Sequence, residues 1–569
     1  MNYKNRKWAA LLTSALIICT LSGCGSTGNS SSNTSNADSS ASDQDQSIAY
    51  LDTTDMFTDR DKEIGYDSES TITITLNDSN STASASSVKI EGDVITITEE
   101  GTYLLSGSLS NGQITVDAAE DAKIQLVLDN ANITCDSSAA VYIKQADKVF
   151  ITTAADSTNT LTNTSEYVAI DDNNIDAVIF AKSDVTLNGS GTLDIRSACG
   201  HGIVSKDDLV ITGGSYRIDA ASHTLSGKDS VRIAGGTLSL TAGKDGIHSE
   251  NTDTEDKGFI YVSGGEFQIS CESDGLDGDY TVQIDGGIFH IAAKDDGVHS
   301  DSDLIITGGD VTITESYEGL EGKTITLTGG NMDVTSSDDG LNAAGEGKVL
   351  GTDTDRAAQM PDNANGDRRG GGFGGDTGGK AFGGRGGGGG FGEATDYNWI
   401  TISGGTLHIC ADGDGIDSNG NLTVTGGEIY VDGPTNSGNG SLDYAGSGTI
   451  TGGTFVATGA SGMAMNFGTD STQGAMLVSV SNNYVTGTVT LMDADGNMLV
   501  SYEPDKEYNS VLISCARLAE GETYTLTTGD TTTTVEMTSL IYGADNMGGQ
   551  KGRGFQDKPE NNDTGNSTL

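Results

Sequence analysis

Gly286-Gly287-Ile288-Phe289-His290-Ile291, Gly308-Gly309-Asp310-Val311-Thr312-Ile313 and Gly329-Gly330-Asn331-Met332-Asp333-Val334 decide how this chain folds. Each is a glycine pair followed by apolar residues at every second position, the period of a strand with one face buried. The same pattern stands at Gly213, Gly235 and Gly264, and again at Gly404, Gly426 and Gly452. Successive steps from Gly213 to Gly329 are 22, 29, 22, 22 and 21 residues, and from Gly404 they are 22 and 26. A period near 22 marks one structural unit stacked on the next. Each unit carries short strand signals broken by Gly and Asp and no amphipathic helical stretch. A leucine-rich repeat would show a Leu and Asn ladder, and a propeller blade is about twice as long. The expectation is an all-β chain built on a parallel β-helix, and only 4 prolines in 569 residues suit its continuous ladders.

Working outward, the step of 29 predicts a lateral loop at about residues 250–257. The larger excess between Gly329 and Gly404 predicts a Gly-rich, disordered insertion over 351–397 within the helix at 131–473. Residues 50–130 read as an N-terminal β cap with the first coils, since an open coil end is an exposed sheet edge. Residues 474–545 read as a small β-sandwich, with Asp495-Gly496 as a hairpin turn, and 546–569 as a disordered tail. At the other end, Lys4, Arg6 and Lys7 precede an apolar run and Leu21-Ser22-Gly23-Cys24. That is a signal peptide, residues 1–23, followed by a cysteine in the position where bacterial lipoproteins carry their lipid. Residues 24–49 offer almost nothing to bury and read as a flexible tether. The expected location is therefore the outer face of the cell membrane, with lipidation at Cys24 as the anchor.

Of 7 cysteines, 5 follow Cys24, and no CxxC pair exists. Neither a disulfide framework nor a zinc site is indicated. Cys271 and Cys410 are expected to share one column of the stack, four coils apart. The formal net charge is −52, with 82 acidic against 30 basic residues. Such a surface repels nucleic acid and anionic lipid and attracts multivalent cations. A monomer with no nucleic-acid partner is expected.

About ten residues after each glycine pair comes an acid, a glycine, an apolar residue and a polar one. These are Asp245-Gly246-Ile247-His248, Asp274-Gly275-Leu276-Asp277, Asp296-Gly297-Val298-His299, Glu318-Gly319-Leu320-Glu321, Asp339-Gly340-Leu341-Asn342 and Asp414-Gly415-Ile416-Asp417. The glycine is expected to turn the chain, the apolar residue to point inward, and both polar residues to face solvent. Coils roughly 4.8 Å apart would then stack two columns of carboxylates. Neighbouring like charges at that spacing repel, and a hard cation with flexible oxygen coordination, Ca²⁺ before Mg²⁺, relieves them. The expected metal ligands are Asp245, Asp274, Asp277, Asp296, Glu318, Glu321, Asp339, Asp414 and Asp417, richest between Asp274 and Glu321. The bland alternative is turn chemistry on a solvated face.

Candidate glycan contacts are His248 and His299, Lys206 and Lys228, and Tyr280 and Tyr317, with Tyr216 and Tyr261 as further aromatic platforms where they are not core. A lysine beside a calcium site could instead serve as the base of a β-elimination, the chemistry of a polysaccharide lyase.

Several segments resemble the clostridial cell-surface carbohydrate-binding family with a pectate-lyase-like β-helix. They are Phe57-Thr58-Asp59-Arg60-Asp61 with Tyr66-Asp67, Gly101-Thr102-Tyr103 with Ser106-Gly107, Ala146-Asp147-Lys148-Val149, His201-Gly202-Ile203-Val204-Ser205-Lys206-Asp207-Asp208 and Gly227-Lys228-Asp229-Ser230-Val231-Arg232-Ile233. With the coils, the resemblance spans about residues 50 to 545. It implies a right-handed helix, bound calcium, and binding rather than cleavage of cellulose-like and polygalacturonate-like polysaccharide. Ser222-His223-Thr224 departs from the acid–glycine pattern, which places a calcium site on that rung in doubt. The function expected is polysaccharide binding at the cell surface, with a calcium-dependent pectate lyase as first alternative and a structural stalk or adhesin as second.

Overall fold

A computed structural model of the chain describes residues 49–347, 395 and 397–543. The signal segment, Cys24, the tether to residue 48, the Gly-rich insertion to residue 394 and the tail lie outside them. No helix forms among the described residues, and none is long and apolar enough to cross a membrane.

One coil shows the plan. Asp208–Ile211 leads through Gly213-Gly214 into Ser215–Ala220, the chain turns into Leu225–Gly227, and a second turn brings it to Ser230–Ile233 beside the starting strand. Repetition builds three parallel sheets. Sheet 1 contains the strands after each glycine pair, from Thr158–Asn163 to Thr454–Gly459. Sheet 2 contains the short strands after each acid–glycine pair, such as Ile247–Ser249 and Leu276–Gly278. Sheet 3 contains the strands that lead into the glycine pairs, such as Phe259–Val262 and Thr281–Ile284.

Inward residues stack by kind, because equivalent positions lie directly above one another. In sheet 2, Ile203, Leu225, Ile247, Leu276, Val298, Leu320, Leu341 and Ile416 are all 0% exposed. In sheet 1, the Phe267 and Phe289 rings lie face to face with centroids 4.4 Å apart. The two glycine types have different causes. The second glycine of each pair has φ near +100°, as in Gly214 at +104° and Gly287 at +113°, where a side chain is strained. The glycine after each acid shows no such φ. There a Cβ would lie 2.4 Å from Ile313 Cδ1 at Gly297, or 2.2 Å from Val334 Cγ1 at Gly319. Close approach to the isoleucine and valine column of sheet 1 requires it, not the turn the sequence suggested.

Residues 50–67, expected within the cap, instead run as a strap along the outside of sheet 3. The strap's Leu51 amide donates to Gln283, Phe57 packs on Tyr261 at 6.0 Å, Arg232 donates to the Met56 carbonyl, and Arg60 reaches Gln125. Its anchor is Asp61, 1% exposed, which accepts from Thr186 at 2.6 Å and pairs with Lys148 at 2.8 Å. The first coil is preceded by an antiparallel hairpin, Val88–Glu91 with Val94–Ile97.

At the far end, Thr454–Gly459 pairs antiparallel with Ser510–Ser514, which pairs with Ala475–Ser479. A separate four-stranded antiparallel sheet runs in the order Met498–Tyr502, Val489–Met492, Thr523–Thr528, Thr531–Glu536. Val456, Met476, Val511 and Ile513 share one buried cluster with Val489, Leu491, Leu526 and Val535, so the two sheets bury a common face.

The cysteine register differs from expectation. Cys271 lies two residues after Ile269 and points inward, whereas Cys410 follows Ile409 by one residue, beside Thr335 and Asp432, and points outward. All five described cysteines are free.

Candidate functional site

The acids stand at the corner between sheets 1 and 2, and register fixes two columns. The second runs Ser226, His248, Asp277, His299, Glu321, Asn342, Asp417, Asp443 through successive rungs. The first holds Asp245, Asp274, Asp296, Glu318, Asp339 and Asp414. All of these acids but Glu318 turn one oxygen along the stack to accept an amide of the next rung, Asp414 taking that of Gly440. Asp274 N donates to Asp245 Oδ1 at 3.1 Å, Asp296 N to Asp274 at 2.6 Å, Glu318 N to Asp296 at 3.1 Å and Asp414 N to Asp339 at 2.6 Å. Half of each carboxylate so engaged is committed to holding adjacent turns together, and the second oxygen is left for other work.

This geometry corrects the expectation that both columns face solvent. Asp245, Asp274, Asp296 and His248 are 4%, 9%, 5% and 8% exposed. Because the carboxylates lie along the axis between neighbouring rungs, they cover one another. Burial and crowding therefore dominate their chemistry. Burial, then Asp296, Asp277 and Asp245, hold the Asp274 carboxyl well above its usual range. Burial first and like charges after it lift Asp296 to about 7, Glu318 to about 9, Asp339 to about 8, Asp414 to about 6 and Asp417 to about 7.

The ladder has two different ends. Toward its N-terminal rungs histidines supply the positive charge. The slots that precede Asp245 in the first column are taken by His223 and His201, each 22 residues apart, a spacing legible in the sequence but not used there. The rings of His201, His223 and His248 form a stack, with centroid separations of 4.9 and 4.2 Å and planes within 7° and 15°. Asp245 Oδ2 sits 2.7 Å from His223 Nδ1 and 3.2 Å from His248 Nδ1, and His248 Nδ1 is also 3.0 Å from Asp277. Burial opposes charge on His248, but its bonds to Asp245, Asp277 and Glu250 outweigh that and keep it protonated well above its ordinary range. Burial holds His223 below its usual value and His201 down to about 3. Although His223, Asp245 and His248 bring metal-binding atoms together, imidazole lone pairs lie in the ring plane. Two face-to-face rings cannot both aim at one ion. One rung group on, His299 lies 3.3 Å from Asp296 and 3.1 Å from Glu321, and burial is again outweighed by these carboxylates, which keep it protonated.

Toward the C-terminal rungs that compensation ends. Among the described residues no lysine, arginine or histidine pairs with Glu318, Asp339, Asp414 or Asp417. All four, with Glu321, are half-buried rather than closed off. Asn342 donates its amide to Glu318 at 2.7 Å, while its own Oδ1, shut from solvent, has no donor. Asn342 stands between Glu321 and Asp417 in the column. A buried oxygen acceptor without a donor, among carboxyls that resist ionising, is the donor set a hard cation satisfies. At these rungs the residues that would fit calcium are Glu318, Glu321, Asp339, Asn342, Asp414 and Asp417, while at the Asp274–Glu321 corner favoured by the sequence Asp274, Asp277 and His299, and Asp296, His299 and Glu321, also bring ligand atoms within 4.8 Å of one another. Asn342 was not among the ligands expected from sequence.

The remaining expected contacts divide. Tyr317, 38% exposed, precedes Glu318 at this end of the ladder. Tyr280 is half-buried at the corner between sheets 2 and 3. Tyr216 is core, 3% exposed, with its hydroxyl donating to the Gly213 carbonyl, and Tyr261 lies beneath Phe57 of the strap. Neither can be a platform. Lys206 and Lys228 follow the sheet 2 strands, at the far end from the acid corner. Lys206 lies over the Phe180 ring at 5.6 Å, and Lys228 pairs with Asp253 of the lateral loop, which spans 250–258.

Parts of the chain are similar to known proteins. The model of a family described as carbohydrate-binding domain-containing protein matches residues 91–343. A carbohydrate-binding domain-containing protein of Acetivibrio thermocellus is 40% identical over 128 residues, 22% of this chain and 45% of that protein, so the chain spans less than half of that curated relative. A solved structure, a polysaccharide lyase-like protein from C. thermocellum in a gadolinium derivative, is 34% identical. That match covers 42% of this chain and 96% of the other, with a TM-score of 0.41.

Proposed function

We propose, from the match of residues 91–343 to the model of a carbohydrate-binding domain-containing family, that this chain binds polysaccharide through a calcium-loaded rim on the C-terminal half of its ladder. The observation that carries the reading is the uncompensated end of the ladder, where Asn342 Oδ1 lacks a donor beside half-exposed carboxyls. Calcium held by Glu318, Glu321, Asp339, Asn342, Asp414 and Asp417 would neutralise them and offer open coordination positions to a glycan carboxylate or hydroxyl. A chain of net charge −52 otherwise repels a polyuronate. Calcium dependence is therefore greatest for acidic glycans. Tyr317 supplies an exposed ring beside the rim for a sugar face.

Binding is favoured over cleavage by the placement of the lysines. A lyase needs its base next to the metal-activated sugar, and Lys206 and Lys228 stand at the other end of the sheet 2 strands, the latter engaged by Asp253. The anchor expected at Cys24 would present this rim at the cell surface. A glycan array read with calcium and with chelator tests the proposal, paired with ultraviolet absorbance of polygalacturonate incubated with the protein. Calcium-dependent retention of acidic glycans without unsaturated products supports a binder. Growing absorbance makes it a lyase, and retention of no glycan leaves a stalk or adhesin.

A further inference from the structure

A second group of metal-binding side chains lies away from the ladder, on the outer face of sheet 1 where the C-terminal strands cover it. Asp333, His408 and Tyr430 occupy one outward column on successive rungs, and Cys410, Asp432 and Thr458 the next. The segment after Met498–Tyr502 folds over them, so that the Tyr502 ring stacks on Tyr430 at 5.0 Å and meets His408 edge-on at 6.4 Å. Asp505, on the same segment, donates its amide to Asp432 Oδ2 at 2.8 Å.

His408 is held in a way that leaves one nitrogen committed and one directed inward. Its Nδ1 lies 2.9 Å from Asp333, and its Nε2 faces Asp432 Oδ2 at 3.6 Å. Asp432 is 0% exposed and fixed by Thr458. His408, Asp432 and Asp505 each bring a ligand atom within 4.8 Å of the others. A histidine that gives one N–H to a carboxylate and turns its other nitrogen toward a pair of carboxylates has the second-shell arrangement of metal-ligating histidines. The separations exceed hydrogen-bonding distance between Nε2 and Asp432, room that a metal–ligand shell occupies. The Tyr502 hydroxyl, closed to solvent, borders the same space beside Asp432.

We infer that His408, Asp432 and Asp505 form a site for a borderline divalent cation of the Zn²⁺ class, with Asp333 orienting the imidazole. One nitrogen and two carboxylates suit Zn²⁺ better than Ca²⁺, which takes oxygen alone. Because His408 and Asp432 belong to the coils and Asp505 to the segment between Met498–Tyr502 and Ser510–Ser514, the ion would cross-link the C-terminal strands to the helix. Tyr430 and Tyr502 beside it would close one side and leave a coordination position for water or a sugar hydroxyl.

The test is Zn²⁺ titration of the chain by calorimetry in excess calcium, which keeps the ladder occupied by its own ion, with Co²⁺ as a spectroscopic stand-in. The expected result is one Zn²⁺ per chain and a visible Co²⁺ band, both lost in His408→Gln and in Asp505→Asn. Asp333→Asn should weaken binding by roughly ten- to a hundred-fold. Asp505 is exposed, so its variant folds even where the histidine variant does not. Absence of Zn²⁺ uptake by the wild type, or uptake unchanged in Asp505→Asn, overturns the inference. Uptake that survives His408→Gln assigns the ion to the histidines of the ladder and overturns it equally.

Discussion

The Asp339 carboxylate accepts the amide of Asp414 at 2.6 Å although 75 positions separate them in the chain. The ladder therefore closes across the Gly-rich insertion as if the coil had never been interrupted, and this one carboxylate has two duties. Oδ1 holds the next rung, and the rest of the group faces the column of uncompensated acids. The two duties separate by substitution. Asp339→Asn keeps an oxygen for the amide and removes the charge, so in chelator it should be neutral or slightly stabilising. Asp339→Ala strands the Asp414 N–H and should cost about 1–3 kcal/mol. Urea melts of both variants in chelator check this, and equal losses would mean the hydrogen bond is not what holds the rungs.

A pH dependence of opposite sign to ordinary acid denaturation should appear in chelator. Asp296 and Asp417 at about 7, Asp339 at about 8 and Glu318 at about 9 all lie above their ordinary values in the folded chain. The folded form therefore holds protons that the unfolded chain has released, and their contribution is greatest below about pH 4 and is lost as pH rises through the range 7 to 9. His248 and His299, raised in the fold, lose stabilising charge in the same direction. The melting temperature in chelator should fall as pH climbs from 5 to 9, and calcium should flatten that fall. A chelated protein that gains stability over this window would show the column to be ionised and content without a cation.

The strap rests on Asp61. Its carboxylate, held down to about 2 because its bonds to Lys148, Thr186 and Thr58 outweigh burial, contributes stability at and above ordinary acid pH and loses it only as pH falls toward 2. Asp61→Ala leaves Lys148, 12% exposed at its side chain, without its closest acid. The loss should be about 3–5 kcal/mol, with residues 50–67 becoming the first site of proteolysis. Limited digestion followed by mass spectrometry reads this directly, and an unchanged cleavage pattern would remove Asp61 as the anchor.

How much of this was legible follows from which residues repeat. The glycine pairs and the inward Ile, Leu and Phe repeat every coil, so the parallel stack could be read from spacing alone. The acid column could be read too, but not its orientation, because a carboxylate that accepts the amide one rung away leaves the same sequence trace as one facing water. Nor could the strap be placed, since its partners are as far off as Gln283, 232 positions from Leu51. Its Phe57-Thr58-Asp59-Arg60-Asp61 motif, distinctive in sequence, serves sheet 3 and not the acid column. The histidine stack shows the converse: His223 and His201 sit one and two periods before Asp245, yet read singly they look like interruptions. Cys410 shows how little error is tolerated, for one residue of register moves a side chain from the core to the outer face.

Cys24, outside the described residues, gives an independent test of location. Cys24→Ala should move the protein from the membrane fraction to the medium, as immunoblots of fractionated cells would report. Continued membrane retention with no lipid on the protein would refute lipid anchoring.

The most direct measurement is retention of the chain in a polygalacturonate gel, run with calcium and with chelator, for the wild type and for Asp339→Asn with Asp417→Asn. The predicted result is retardation of the wild type only with calcium, and its loss in the double variant under both conditions while the fold persists by circular dichroism. Retardation that ignores chelator, or that the double variant keeps undiminished, would contradict a calcium-loaded rim at the C-terminal end of the ladder.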